Sequence, residues 1–297
     1  NYKTNKVFYD NPFHTSELSE LIRFAMWSSE PVPFDPIEKT LHQIYEQTQS
    51  SDQRKDFQMI HEYPLAGKPP MMTHLFENGL GERIVATKGA PEAILAVSNL
   101  SESEKEKLRQ QMSDFGKQGY RVLGVAKAHF EGSNFPEKQQ DFLFEFLGFT
   151  VFYDPPKKNI QEVFHKIYAA GIKVKVITGD NADTTNAIAQ QAGISSQSPA
   201  VNGTELMHHS EAELIELSRN TTLFTRMFPE AKLAMVNALK QDGEVVAMLG
   251  DGVNDAPALK AAHIGVAMGN KGTEIAKAAA ALVITNDDLE KLITGIA

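Results

Sequence analysis

The 297-residue sequence contains no cysteine, so disulfides and thiolate-bound zinc or iron–sulfur centres are excluded. It has no apolar run near the ~18–20 residues that a membrane-spanning helix requires. The nearest stretch, residues 278–284, is far too short. Basic residues are also in short supply: 29 Lys and Arg stand against 38 Asp and Glu, a formal charge of -9. That balance argues against a basic face that grips nucleic acid through its phosphates, so no nucleic-acid partner is expected. There is no internal repeat, no low-complexity run and no complete Walker loop; Gly269-Asn270-Lys271-Gly272-Thr273 is too short for one. Neither end reads as a signal peptide and the chain opens abruptly at Asn1, so a segment of a longer protein is expected.

What is present is the composition of an ordinary globular protein, 42% hydrophobic and 23% charged, long enough for two domains. Residues 14–27 carry Leu18, Leu21, Ile22 and Ala25 at helical spacing. A second helix is expected from Asp35, with Pro36 in its first turn and Ile37, Leu41, Ile44 and Tyr45 on one face. Residues 71–76 and 83–88 read as strands joined across Glu77-Asn78-Gly79-Leu80-Gly81, a hairpin. Helices are expected after Lys88-Gly89-Ala90-Pro91-Glu92 and over 102–118, then a strand over 121–129, which together predict an antiparallel sheet with flanking helices.

Beyond Asp154 the period changes. Strands over 173–177, 223–225 and 245–249 alternate with helices over 182–192 and 229–241, the pattern of a parallel doubly wound sheet. Asp154-Pro155-Pro156 reads as the hinge, because paired prolines stiffen a linker and cannot join a ladder. The expected boundaries are therefore 1–152 and 153–297.

The chemistry concentrates in Gly250-Asp251-Gly252-Val253-Asn254-Asp255-Ala256-Pro257, just after a buried strand. Asp251 and Asp255 thus fall at the carboxyl edge of the sheet, where open α/β folds bind ligands, and Asp251 offers the hard oxygen that Mg²⁺ prefers. Thr178-Gly179-Asp180 ends a strand and opens a helix, a place where a hydroxyl and free amides hold an anion such as a phosphoryl group. Asp180 reads equally well as an N-cap. Lys232 lies just inside a helix start, where a cation opposes the macrodipole unless an anion faces it, although a surface lysine fits the same position. His208-His209 lacks metal-ligand spacing and reads as surface, and residues 101–107 as a solvated helix face.

Asp154-Pro155-Pro156, Thr178-Gly179-Asp180 and the 250–257 segment, in that order, resemble the phosphorylation domain of P-type ATPases, members of the haloacid-dehalogenase superfamily. Lys88-Gly89-Ala90-Pro91-Glu92 resembles the nucleotide-domain signature of the same pumps, so the resemblance covers nearly the whole chain. It implies an α/β fold: an incomplete haloacid-dehalogenase-like doubly wound parallel sheet over 153–297 and an α+β antiparallel-sheet nucleotide-binding domain over 1–152. It further implies that Asp251 coordinates Mg²⁺, that Asn254 and Asp255 arrange phosphoryl group and metal shell, that Thr178 and Gly179 bind phosphoryl oxygens beside Asp180, and that Lys232 neutralises their charge. In the nucleotide domain the resemblance puts Lys88 in the ATP pocket, Gly89 where the ligand meets the backbone and Arg121 at the nucleotide phosphates. It places Tyr63 on adenine, with Lys68 as the next basic residue, where the family usually has phenylalanine. Asp35-Pro36-Ile37-Glu38 resembles a further short element with no contact assigned.

Whole pumps of this family pass the γ-phosphoryl of ATP to an aspartate and couple its hydrolysis to cation transport. The resemblance therefore implies ATP and Mg²⁺ as cofactors, and, in the parent protein, membrane helices, an actuator domain and a location on the cytoplasmic side of a membrane. Ca²⁺ is favoured as cargo over H⁺, Na⁺, K⁺ and Mg²⁺. The nucleophile motif Asp-Lys-Thr-Gly-Thr is absent, while Thr4-Asn5-Lys6-Val7 resembles the family's stretch immediately C-terminal to that motif. Loss of the strand that carries the nucleophile is expected to leave a gap in the sheet and no phosphoenzyme. A soluble phosphatase of the same superfamily and a non-catalytic ATP-binding module remain open alternatives.

Overall fold

In the computed structural model, residues 18–33, 35–48, 51–67 and 69–291 are described. Thr4-Asn5-Lys6-Val7 and Lys68 lie outside them. The chain forms two compact units, Asn1–Asp154 and Pro155–Ala297.

The first unit opens with α1 (Leu18–Trp27) and α2 (Pro36–Thr48). Asp35 Oδ1 accepts from the backbone N–H of Ile37 at 2.7 Å and of Glu38 at 3.4 Å, satisfying donors that a helix start leaves free. The sheet is an antiparallel meander of β1 (Phe57–Ala66), β2 (Met71–Asn78), β3 (Arg83–Gly89), β4 (Arg121–Ala128) and β5 (Phe144–Phe152), in that spatial order. Between β3 and β4 lie α3 (Pro91–Val97) and α4 (Glu102–Lys117), the latter opened by a Ser101–Glu104 capping box. One sheet face packs Leu75, Val85 and Phe146 against α3, α4 and Phe142. The other packs Phe76, Ile84 and Ala86 against Ile22, Met26 and Trp27 of α1 and Ile44 and Tyr45 of α2.

The second unit runs α5 (Ile160–Ala169), β6 (Val176–Ile177), α6 (Ala182–Gln191), β7 (Val201–Asn202), α7 (Gly203–Leu206), α8 (Glu211–Asn220), β8 (Leu223–Thr225), α9 (Pro229–Gln241), β9 (Ala247–Gly250), α10 (Ala256–Ala261), β10 (Ile264–Met268), α11 (Glu274–Ala279) and β11 (Leu282–Ile284). The strands are parallel, as the alternation of short apolar strands with helices predicts. They form two three-stranded sheets, ordered β6-β8-β7 and β11-β10-β9. Among the described residues no strand pairs with the outer edge of β6 or of β9, so the parallel layer is incomplete, as expected. Val246, Met248 and Ala267 pack under α9, α10 and α11, while Val201, Phe224 and Met235 make a second core around β8.

Candidate functional site

In the second unit one continuous set of hydrogen bonds ties the three motif segments together. Thr178 comes directly after β6; its carbonyl accepts from Met227 N at 2.9 Å, and the Asp180 carbonyl accepts from Arg226 N at 2.9 Å. Within the turn, Thr178 Oγ1 accepts from Asp180 N at 3.1 Å and donates to Asp180 Oδ2 at 3.2 Å. The N-cap of α6 is Asn181, not Asp180: its side chain accepts from Thr184 N at 2.9 Å. Arg226 is held at a φ of 49°, a left-handed conformation uncommon for a side chain of its size. It leads through Met227 into α9, whose first turn has Pro229 and whose next residues carry Lys232.

Lys232 is not a surface lysine. It is 9% exposed, and its Nζ donates to Asp255 Oδ1 at 2.6 Å. Asp255, also buried, accepts with Oδ2 from Gly252 N at 3.0 Å and Asp251 N at 3.2 Å, which fixes the turn after β9. Gly250 is required by this packing: a Cβ there would meet Asp255 Cβ at 2.6 Å. Asp251 and Asn254 remain solvent-exposed on the turn.

Although Asp251 is open to solvent, its carboxyl is raised above the ordinary carboxylate range, first by partial desolvation and then by the neighbouring Asp255 charge; Lys232 and Lys271 oppose the shift. Crowded negative charge of this kind is what a bound cation relieves, so the donor set fits Mg²⁺, with Asp251 as the exposed ligand. No motif in the sequence marks Lys271 as part of this site. It sits in the 269–273 loop, whose Thr273 N donates to the Asp251 carbonyl at 2.8 Å. Gly272 in that loop answers to backbone packing and not to phosphate, since a Cβ would lie 2.0 Å from the Met268 carbonyl oxygen.

In the first unit the expected nucleotide residues do not share one surface. Glu62 pairs with His74 and then Ala86, whereas Tyr63 pairs with Thr73 and then Thr87; successive residues point to opposite faces. Tyr63 therefore joins the core with Met71, Leu75 and Phe142, and its hydroxyl donates to the Pro136 carbonyl. Lys88, paired with Met72 and Val125, lies on the opposite, α1–α2 face. Tyr63 and Lys88 thus lie on opposite faces of the sheet. Arg121 begins β4 four residues from Val125, on the Lys88 face, and is exposed.

Lys88 itself is buried. Its three donors are used: Ser28 O at 2.7 Å, Ser29 Oγ at 2.8 Å and Glu38 Oε1 at 2.7 Å. Ser28 stands directly after the C-terminus of α1, the negative end of the helix dipole, which suits an ammonium. Burial pulls the Lys88 pKa below its ordinary range and Glu38 works against that shift. Glu38 Oε2 is buried with no hydrogen-bond partner among the described residues, as is Nε2 of the adjacent His42. The sequence shows Glu38 only as part of a short element with no contact assigned, and the fold makes it a functional candidate. At Gly89 a Cβ would meet Met71 Cα and the Pro70 carbonyl oxygen at 2.6 Å, so the close approach of the neighbouring strand itself requires a glycine.

A family model described as haloacid dehalogenase-like hydrolase matches residues 84–263. The "Calcium-transporting ATPase 1" of Saccharomyces cerevisiae is 33% identical over 302 residues, 95% of this chain and 32% of that protein. The "Calcium-transporting ATPase 1" of Bacillus cereus is 31% identical over 303 residues, 98% of this chain and 32% of that protein. A sodium/potassium exporting P-type ATPase of Schizosaccharomyces pombe is 31% identical over 284 residues, 88% of this chain and 27% of that protein. The chain spans about a third of the length of the relatives it matches.

Proposed function

Since the chain belongs to the haloacid dehalogenase-like hydrolase family and is related to P-type cation-transporting ATPases, we propose that it is the ATP-binding and phosphoryl-handling region of such a pump. The observation that carries this reading is the hydrogen-bonded set from Thr178 through the Arg226 backbone and Lys232 to Asp255 and Asp251, which brings the buried Lys232 ammonium and two carboxylates to the ends of parallel strands. In this proposal Thr178 and the amide of Gly179 receive the phosphoryl oxygens. Lys232 offsets their charge, held in place by Asp255, and Asn254 reaches the group from the exposed turn. Mg²⁺ bound at Asp251 would supply further charge neutralisation to the phosphoryl group.

The nucleophile belongs between β6 and β9, whose outer edges are unpaired among the described residues. An aspartate on a strand placed there would end at the same edge as Thr178 and Asp251. The sequence contains no Asp-Lys-Thr-Gly-Thr, so the 297-residue chain is proposed to bind nucleotide without forming an aspartyl-phosphate at that motif.

In the first unit the unpaired Glu38 Oε2 accepts from the amino group of the base, Lys88 holds Glu38 from behind, and Arg121 meets the phosphates from the same face. The relatives' names favour Ca²⁺ as the cargo of the whole protein. Its ligands would belong to membrane helices, since no described helix here is long and apolar enough to cross a membrane. An actuator domain and a position on the cytoplasmic face complete the proposal.

Calorimetric titration of the chain with ATP tests it. One binding site is expected, with affinity reduced about tenfold in Glu38→Gln by loss of a charge-assisted hydrogen bond. Absence of any heat at millimolar ATP, or undiminished affinity in that variant, overturns the placement of the nucleotide.

A further inference from the structure

His74 is completely buried on β2, and neither of its ring nitrogens has a hydrogen-bond partner among the described residues. The Ser29 carbonyl approaches the ring without reaching hydrogen-bonding geometry. Buried polar groups are almost always satisfied, so an imidazole with two orphaned nitrogens calls for a ligand. Its direct cross-strand partner is Glu62 on β1, and Glu30 comes down from the turn after α1. One ligand atom from each of Glu30, Glu62 and His74 lies within 4.8 Å of the other two.

We propose that Glu30, Glu62 and His74 form a binding site for a divalent transition-metal ion of the zinc class on the α1–α2 face of the antiparallel sheet. The charge balance favours a cation. Lys88 is committed to Glu38 at 2.7 Å, which leaves Glu30 and Glu62 as like charges facing one another. Burial first, and then Glu62, raise the Glu30 carboxyl above its ordinary range, while burial first and then Lys88 lower the His74 imidazole below its own. An imidazole nitrogen with two carboxylate oxygens selects Zn²⁺, Co²⁺ or Ni²⁺ over Mg²⁺ and Ca²⁺, which prefer all-oxygen shells. Ligands about 2.1 Å from a common tetrahedral ion sit about 3.4 Å apart, so the site contracts by at most about 1.4 Å. Glu62 is exposed and Glu30 half-buried, so rotation of their side chains supplies that movement while buried His74 stays fixed. The exposed side leaves a coordination position for water or an incoming group. The site belongs to the first unit and is separate from the Mg²⁺ proposed at Asp251.

Titration of the chelator-treated, nucleotide-free chain with Co²⁺, read by its visible d–d absorption, tests the proposal. The expected result is one equivalent of bound Co²⁺, displaced by Zn²⁺ but not by a large excess of Mg²⁺ or Ca²⁺. Glu62→Gln weakens binding by about tenfold or more, and His74→Gln abolishes the band. Should His74→Gln fail to fold, as circular dichroism would reveal, the exposed Glu62 variant decides. The double variant His208→Ala with His209→Ala leaves the band intact, since those residues lie in a different unit. No band, a band unchanged by Glu62→Gln, displacement by Mg²⁺, or loss of the band in the double histidine variant would each overturn the assignment.

Discussion

Asp251 shows how a single carboxylate can be useful and unfavourable at once. Asp255 is tied down by Lys232 and by two backbone amides, so its negative charge is fixed beside the second carboxylate, that of Asp251. The folded chain therefore holds the Asp251 proton more tightly than an unfolded chain does. Below the ordinary carboxylate range both states are protonated and nothing is lost; as pH rises through the raised value, ionisation of Asp251 lowers the stability of the fold. Asp251→Asn removes that penalty. At neutral pH the variant should melt higher than the parent chain, by no more than about 2 °C because solvent screens an exposed group, and the difference should vanish in acid. The same variant should lose Mg²⁺-dependent phosphate binding. Calorimetric melting at the two pH values checks the sign: a variant that melts lower at neutral pH places Asp251 among stabilising carboxylates. Lys232 makes the complementary point. From sequence a lysine in the first turns of a helix reads as surface or as an anion partner, and only the fold reveals that Asp255 keeps it buried.

At the level of elements, close approach of backbones explains the glycines better than ligands do. At the end of β3, Gly89 lies against Pro70 and Met71 with no room for a Cβ, and both neighbouring strands are buried there. Gly89→Ala should cost about 1–3 kcal/mol in urea unfolding, the range for overpacking a filled site. A change smaller than the error of that measurement would return Gly89 to a role at the ligand. Long elements are legible in the sequence because their periodicity is strong: 102–118 corresponds to α4 and 83–88 to β3, and 229–241 coincides with α9. Short ones are not. The expected strand over 173–177 contracts to Val176–Ile177, the only part of it that pairs with β8 among the described residues. β1 escapes a reading by alternation because Tyr63-Pro64-Leu65 and a register shift interrupt it. Thr178, Lys232 and Asp251 stand out in the sequence because each sits at a strand end or helix start, where local chemistry is visible in a short segment. The Lys88–Glu38 pair and the Glu30–Glu62–His74 cluster do not, because they are assembled from the turn after α1, from α2 and from three strands.

The whole chain carries its hydrophobic cores unit by unit. The clusters around Phe146 and Ile84 draw only on the first unit, and those around Met248 and Phe224 only on the second. The first unit closes its sheet under helices on both faces. In the second, the parallel layer is split, and Ile264, Leu282 and Val283 stand 39%, 55% and 44% exposed, an unusual state for the strands of a doubly wound sheet. Two unfolding transitions are expected, the lower one from the second unit. A strand that pairs with the free edges of β6 and β9 should stabilise that transition selectively. A synthetic peptide of five alternating Val and Ile residues joined to a C-terminal Asp-Lys-Thr-Gly-Thr, added to the intact chain, should raise the lower melting temperature and leave the upper one unchanged. At a concentration 100 times its dissociation constant the gain would be about 2.7 kcal/mol, equivalent to roughly 5–10 °C for a unit of this size. A scrambled peptide of the same composition should do far less, because the parallel register must bring its aspartate to the edge where Thr178 and Asp251 lie. Equal shifts from both peptides, or none from either, would mean that β6 and β9 do not flank the place of the nucleophile, and the phosphoryl-transfer proposal would lose its central strand.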